Sequence, residues 1–154
     1  MSCDCHAHAQ QLHGYLQAVS ALKDDGSLFL CDYLGPIAAQ ASLDALCRAL
    51  GLPPEGLRLQ PLGTAACNGV LCTPRQWLLE RLNPMSDADR QSLDGRLFDG
   101  FARELAELLG GEPHWYQLVS SSQRSLAAHL GAIWSVFVFG TERHAYVMHC
   151  SWDR

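Results

Sequence analysis

The sequence predicts an α+β fold: one domain in which an antiparallel sheet of about four to five strands, ending in a C-terminal hairpin, packs against three to five helices. Helical and strand patterns are mixed without the strict alternation of a parallel α/β sheet. The final segment is rich in β-branched and aromatic residues. The chain has 154 residues, of which 48% are hydrophobic, enough for a single core. We therefore expect one domain over residues 1–154, with residues 1–5 as a flexible terminus.

The N-terminal part predicts a helix followed by a strand. Apolar residues recur at helical spacing over residues 5–22, and this pattern is typical of an amphipathic helix. Residues 23–26 form a turn sequence that ends it. The apolar segment 27–33 lies between Gly26 and Gly35, which is typical of a short strand.

A second helix and an edge strand are expected next. Pro36 suits the first turn of a helix that continues to Leu50, and Gly51 is placed to end it. Residues 57–62 alternate in polarity as a strand does. Because proline cannot donate a ladder hydrogen bond, Pro61 predicts an edge strand or a strand terminus rather than a central strand.

The middle of the chain predicts a turn and two helices. Asn68-Gly69 is a hairpin signal within residues 63–72. Thr73 and Gln76 have the spacing of a capping box at the start of a short helix. Ser86 can cap a long helix over residues 86–109, whose apolar stripe includes Phe101.

The C-terminal part predicts three strands and one short helix. Residues 114–120 have strand composition, and residues 123–130 suit a short helix closed by Gly131. Segments 133–139 and 144–152 form the hairpin, joined by the loop 140–143. The first hairpin strand is apolar on both faces, so we expect both faces of the sheet to be covered.

The charge pattern excludes some partners. The net charge is −5, Lys23 is the single lysine, and the arginines are spread singly along the chain. No basic cluster could follow phosphates or an anionic membrane, so we expect neither nucleic acid nor a membrane as partner. We expect a cytoplasmic protein of a bacterium, because no signal peptide or membrane-spanning run is visible and arginine, alanine and leucine are favoured. The seven cysteines should then be mostly free thiols.

The N-terminal cluster of cysteines and histidines is a candidate metal site. Cys3, Cys5, His6 and His8 offer thiolate and imidazole ligands, which suit zinc or copper. In an extended chain the cysteines point away from the histidines, whereas on a helix Cys5 and His8 share one turn. A solvated terminus with incidental histidines is the competing interpretation, so we expect no cofactor.

Cysteine catalysis is a further alternative. Cys150 or Cys67 could act as a nucleophile if a base lowered the thiol pKa. His149 and Cys150 are neighbours on a strand, so they face opposite sides and His149 cannot activate Cys150 directly. A buried core cysteine is the competing interpretation.

The favoured hypothesis is a binding protein without catalysis. The sequence lacks the common hydrolase, zinc-protease and nucleotide-binding motifs. We predict an adaptor, secretion chaperone or toxin-neutralising immunity protein whose partner is a protein with a basic surface. Tryptophan and tyrosine carry much of the energy of interfaces, so the predicted partner-binding residues are Trp115, Tyr116, Tyr146 and Trp152. The alternatives are a metal- or thiol-handling protein and a cysteine-dependent enzyme.

Overall fold

A computed structural model describes residues 4–23, 27–62, 100, 103–104, 107, 114–121, 126–130 and 133–152. These residues form a helix-and-strand succession that begins with a long helix and ends with a hairpin. In chain order the elements are α1 (Cys5–Lys23), β1 (Ser27–Gly35), a 3-10 helix (Ala39–Ala41), α2 (Leu43–Leu50), β2 (Leu57–Leu62), β3 (His114–Ser120), α3 (Ala127–Leu130), β4 (Ile133–Gly140) and β5 (Ala145–Trp152).

The strands form one antiparallel sheet in the order β1-β5-β4-β3-β2. This confirms the predicted α+β class and the five-stranded antiparallel sheet. The C-terminal hairpin is β4–β5, with Phe139 opposite Tyr146. Strand β2 lies at one edge of the sheet, as Pro61 predicts, because the missing N–H would interrupt a ladder in the interior.

Each face of the sheet packs against its own hydrophobic cluster. The face toward α1 buries Phe29, Phe139 and Met148 together with Leu12 and Leu16 of the helix. The opposite face buries a second cluster that includes α2 and α3, with members Ala39, Leu46, Cys47, Leu52, Leu57, Leu118, Leu126, Leu130, Val136, Val138, Ala145 and Val147. The prediction that β4 is covered on both faces is therefore confirmed, since its alternate residues enter the two clusters.

Helix α1 begins where the sequence places it. The Asp4 carboxylate accepts a hydrogen bond from the Ala7 N–H at 3.2 Å, which satisfies one of the donors that a helix start leaves free. Cys5, Ala9, Leu12 and Leu16 are buried at helical spacing and face the sheet. The N-terminal sequence thus fixes both the start of the helix and its buried face.

Side chains of α1 also cover the outer edge of β1. The Cys31 N–H donates to His13 Nδ1 at 3.2 Å, and Gln17 Nε2 donates to the Phe29 carbonyl at 2.9 Å. The Asp32 carboxylate accepts the N–H of Tyr33 at 2.8 Å. These bonds occupy backbone groups that an edge strand would otherwise offer to another chain.

The predicted helix over residues 36–50 is wrong in its first half. Strand β1 continues to Gly35, with a register irregularity between Tyr33 and Gly35, and the chain then forms only the short 3-10 helix. Buried Ser42 separates this turn from α2, and its hydroxyl donates to the Ala39 carbonyl at 2.7 Å. A serine bonded to a nearby carbonyl competes with helical hydrogen bonding, which accounts for the break. Gly51 ends α2 with a φ of 66°, as predicted.

The expected three to five helices are not supported. Within the described ranges only α1 and α2 have eight or more residues, and α3 has four. Residues 100, 103, 104 and 107 are helical and fall inside the predicted helix 86–109. The rest of that helix, the Asn68-Gly69 turn and the helix at Thr73 lie outside the described residues. No helix that the structure describes is long and apolar enough to cross a membrane.

Candidate functional site

Aromatic rings form a row across the sheet on the α1 face. Tyr33, Tyr146, Phe139 and Trp115 lie on β1, β5, β4 and β3, each opposite the next in strand register. Their ring centroids are separated by 5.2, 5.4 and 4.7 Å along the row. Directly opposite residues share one face of a sheet, so the register alone brings these rings into contact.

The row has a solvent-accessible end at Tyr33. Tyr33 is half-buried, and its hydroxyl is 2.8 Å from Nδ1 of half-buried His144. The ring of exposed His6 meets Tyr33 edge to face, with centroids 4.9 Å apart. We call His6, Tyr33 and His144 the Tyr33 site. It brings together the first turn of α1, the end of β1 and the turn between β4 and β5.

The β4–β5 turn fixes the position of His144. The Thr141 N–H donates to the His144 carbonyl at 3.0 Å, and the His144 N–H donates to the Thr141 hydroxyl at 3.2 Å. Gly140 precedes this turn with a φ of 156°, and a Cβ there would overlap the His144 carbonyl oxygen. The Thr141 carbonyl accepts the N–H of Ala39 at 3.3 Å, which ties the turn to the 3-10 helix. Hydrogen bonds of the turn therefore hold the backbone that carries the His144 imidazole.

Exposed carboxylates flank the Tyr33 site in the sequence. Asp4 precedes His6 by two positions, Asp32 precedes Tyr33, and Glu142 precedes His144 by two positions. All three residues are exposed, as is Arg143. The surroundings thus carry three carboxylates and one guanidinium group. Because the carboxylates outnumber the guanidinium group, the charge of these four residues is negative, like the net charge of the chain.

The four predicted partner-binding residues fall on different parts of the sheet. Trp115 and Tyr146 belong to the aromatic row, and both are buried. Tyr116 is half-buried on the opposite face, where it packs against the second cluster. Trp152 pairs with Ser27 and Ile133 in the strand register. Their role in partner binding stays a prediction.

At the start of α1, the predicted metal ligands lie in different surroundings. Cys5 is buried in the core, His6 is exposed against Tyr33, and Cys3 lies outside the described residues. His8 follows Cys5 by one helical turn, and its Nδ1 is buried with no hydrogen-bond partner in the described part of the chain. In these same ranges, no three Cys, His, Asp or Glu side chains come together as a metal-binding group. Cys5 and His8 are at most two donors, fewer than the four of a structural zinc site.

The described cysteines are buried in apolar surroundings. Cys150 is fully buried on the α1 face, in the same hydrophobic cluster as Cys31 of the neighbouring strand. Burial, followed by the charge of Asp32, raises the pKa of the Cys31 thiol. Burial and then Asp44 also raise the pKa of Cys47. Raised pKa values suppress the thiolate that nucleophilic catalysis needs. Cys67 lies outside the described residues.

His149 faces away from Cys150, as strand alternation predicts. Its Nε2 is 3.0 Å from the Leu130 carbonyl at the end of α3. Burial lowers the pKa of His149, against the smaller opposing effect of this hydrogen bond. His149 therefore joins α3 to the sheet as a neutral imidazole and does not activate the neighbouring thiol.

Sequence reasoning did not find the Tyr33 site because its residues are far apart in the chain. Tyr33 and His144 are brought together only by the pairing of β1 with β5. The composition of β1 predicts the strand but not its partner. The register irregularity after Tyr33 belongs to the pairing of β1 with β5, so the sequence carries no signal that could have located the site.

Comparisons with protein-family models, with curated proteins and with solved structures find no significant similarity to this chain.

Proposed function

We propose that this chain holds a protein partner without catalysing a reaction, and that the Tyr33 site is its anchor. The partner carries a basic surface. The class is the one that the sequence favours: an adaptor, secretion chaperone or immunity protein of a bacterial cytosol. The observation that carries the proposal is a half-buried tyrosine whose ring and hydroxyl are both held in place before any partner arrives.

Preorganisation is the physical argument for an anchor at Tyr33. Its ring packs between Tyr146 and His6, and its hydroxyl is bonded to His144. Ordering a mobile side chain on binding costs about 0.5–1.5 kcal/mol, and a ring that is already fixed avoids most of this cost. Tyrosine is also enriched among the residues that dominate binding energy.

Charge supplies the argument for a basic partner. The chain carries −5 overall, and the exposed residues Asp4, Asp32 and Glu142 are within two positions of His6, Tyr33 and His144 in the sequence. Charge of opposite sign on the two proteins accelerates their association. This acceleration weakens at higher salt, because the Debye length becomes shorter. The aromatic anchor should act mainly on dissociation.

The test is a pull-down from the native host with the full chain, followed by binding kinetics with the recovered partner. We expect Tyr33→Ala to raise the dissociation rate about thirtyfold or more, the range of a binding hot spot. Tyr15→Ala is the matched control, because Tyr15 is a half-buried tyrosine on α1 that packs against the same cluster as Tyr33. Higher salt should slow association of all variants.

Two results would contradict this function. One is a chain that recovers no stoichiometric partner but copurifies with stoichiometric zinc or copper. The other is an enzymatic turnover that Cys150→Ser abolishes. An equal effect of Tyr33→Ala and Tyr15→Ala on the dissociation rate would show that the Tyr33 site is not the anchor.

A metal- or thiol-handling role is the second candidate, and His8 is the observation in its favour. Its buried Nδ1 lacks a hydrogen-bond partner within the described ranges, one helical turn from the Cys5 thiol. Buried polar atoms are usually satisfied, so such an atom is a natural position for a ligand bond. Metal analysis of untagged protein, compared with a Cys5→Ala/His8→Ala variant, tests this role.

A further inference from the structure

We propose that α3 is an acid-released cover: the hydrogen bond between His149 and the Leu130 carbonyl holds its single turn over the sheet, and protonation of His149 releases that turn while the strands stay paired. The geometry behind this device is a buried imidazole of β5 whose Nε2 lies 3.0 Å from the carbonyl oxygen of the last residue of α3. The device involves neither the Tyr33 site nor the proposed function.

Helix α3 depends on its packing because it is only one turn long. It has four residues, Ala127–Leu130, and a helix of this length does not persist alone in water. Leu126, which directly precedes it, and Leu130 at its end are each 2% exposed and belong to the second cluster. These side chains and the bond to His149 hold α3 against the sheet. An element of this size opens locally more readily than a strand that is paired on both sides.

The bond to Leu130 fixes where the imidazole of His149 carries its hydrogen. A carbonyl can only accept, so Nε2 donates, and in the neutral ring Nδ1 is then without a hydrogen. A proton gained in acid therefore goes to Nδ1 and places a positive charge on a buried side chain. The register partners of His149 are Leu30 of β1 and Val136 of β4, and neither offers that charge a counter-ion.

Burial and the Leu130 bond act on His149 in opposite directions. The bond stabilises the charged imidazole and burial destabilises it, and because burial is the larger effect the pKa of His149 is lowered. Once α3 is released, water reaches the ring, and the ordinary pKa of about 6.5 applies. The released state thus binds the proton more tightly than the closed state, so the population of the released state rises as pH falls.

The other titratable and charged groups around His149 do not produce the same response. Strand β4 carries none, and those of the other elements on this face are Asp32 of β1, His129 of α3, and Asp44, Cys47 and Arg48 of α2. The two carboxylates and the guanidinium keep their charges between about pH 5.5 and about pH 7.5. The pKa of Cys47 is raised by burial and then by Asp44, so its thiol stays neutral. His129 is exposed, so release of α3 does not change its access to water.

The first test is amide hydrogen exchange of the full-length protein, followed by mass spectrometry at about pH 7.5 and about pH 5.5. Protection is corrected for the intrinsic exchange rate at each pH. An imidazole of ordinary pKa raises the released population at most about tenfold over this interval. Protection over residues 126–130 should therefore fall by more than about twofold and at most about tenfold, whereas residues 136–138 of β4 should lose less than about twofold.

Two variants identify the imidazole that responds. His149→Gln keeps an N–H donor for the Leu130 carbonyl without titrating, so the pH dependence over residues 126–130 should disappear. His129→Gln is the matched control, because His129 is an exposed histidine of α3 itself, and this variant should behave as the wild type does. Unchanged protection of the wild type, an equal loss over residues 136–138, or a loss that persists in His149→Gln overturns the proposal. A response that His129→Gln abolishes overturns it as well.

The second test asks by NMR whether α3 is what buries His149. The midpoint of the His149 titration should lie below that of an exposed histidine, and Leu126→Ala should move it toward the ordinary value by loosening α3. Leu46→Ala is the control, because Leu46 is buried in the same cluster but lies on α2. A midpoint that Leu126→Ala leaves unchanged, or that both variants shift equally, would show that α3 is not the cover.

Discussion

The hydroxyl of Tyr33 in β1 and Nδ1 of His144 in the β4–β5 turn lie 2.8 Å apart, although the two residues are far apart in the sequence. The pairing of β1 with β5 creates this contact, and the aromatic row behind Tyr33 holds it in place. A bond that joins distant segments reports on the integrity of the sheet as well as on the Tyr33 site.

Removing the Tyr33 hydroxyl should have a small and measurable cost. Tyr33→Phe keeps the ring contacts and loses the bond to His144, so we expect unfolding free energy to fall by about 1 kcal/mol. Equilibrium unfolding in urea measures this change in unfolding free energy. Tyr15→Phe is the control, since Tyr15 is a partly buried tyrosine on α1 that packs against the same cluster. A loss of several kcal/mol in Tyr33→Phe would mean that the ring itself has moved.

Truncation of Gln17 should expose the outer edge of β1 to solvent. Gln17→Ala removes the bond to the Phe29 carbonyl, and we expect about 1 kcal/mol of destabilisation with faster amide exchange in β1. Exposed Gln11 on the same helix provides the matched control Gln11→Ala. Equal exchange in the two variants would show that Gln17 does not protect this edge.

Stability should fall in mild acid through His149. Burial lowers the pKa of His149 in the folded chain, so the unfolded chain binds the proton first as pH falls below about 6.5. The unfolded state is then favoured, and the stability present at neutral pH is lost as pH falls through the folded pKa. His149→Gln retains a donor for the Leu130 carbonyl without titrating. Its unfolding free energy should depend less on pH than that of the wild type between about pH 7.5 and about pH 5.

The buried thiols should resist alkylation until the chain unfolds. Cys31 and Cys150 are both buried, and the pKa of Cys31 is raised by burial and by Asp32. The thiolate is the reactive form, so iodoacetamide should label neither residue in the native protein and both in urea. Mass spectrometry of peptides identifies the labelled residues. Rapid native labelling of Cys150 would favour a cysteine-dependent enzyme.

Gly14→Ala should stabilise the protein. Gly14 is exposed in the interior of α1, and a Cβ added there would meet no heavy atom within 4 Å. Alanine is favoured over glycine in a helix by about 0.5–1 kcal/mol, so the melting temperature should rise. Gly100→Ala is the informative contrast, because its Cβ would come within 2.6 Å of the Tyr15 ring. A gain in stability for Gly100→Ala would indicate that the Tyr15 ring can move aside.

Local sequence patterns predicted the helices and strands better than the way in which they pack together. The stripe of α1, the edge position of Pro61 and the β4–β5 hairpin are confirmed because spacing and turn chemistry act over a few residues. The helix from Pro36 failed because buried Ser42 bonds to Ala39 and because β1 extends to Gly35.

The candidate site was less predictable than the fold. Aromatic composition suggested Trp115 and Tyr146, which are buried, whereas the accessible end of the same row is Tyr33. Which ring of a row reaches solvent depends on strand order and on the placement of α1. Neither the position of β1 beside β5 nor the contact with His6 can be derived from the spacing of residues within one segment.

The position of β5 between β1 and β4 has a consequence for synthesis on the ribosome. Strand β5 provides the ladder for β1, yet it emerges after every other strand that the structure describes. Until then the inner edge of β1 lacks the strand with which it pairs in the described sheet. Closing such a distant pairing is slow, and an unpaired strand exposes the nascent chain to misassociation. The bonds from His13 and Gln17 to β1 join residues that are close in the sequence, so they can form early in synthesis. Helix α1 can then cover the outer edge of β1 while the inner edge stays available for pairing with β5.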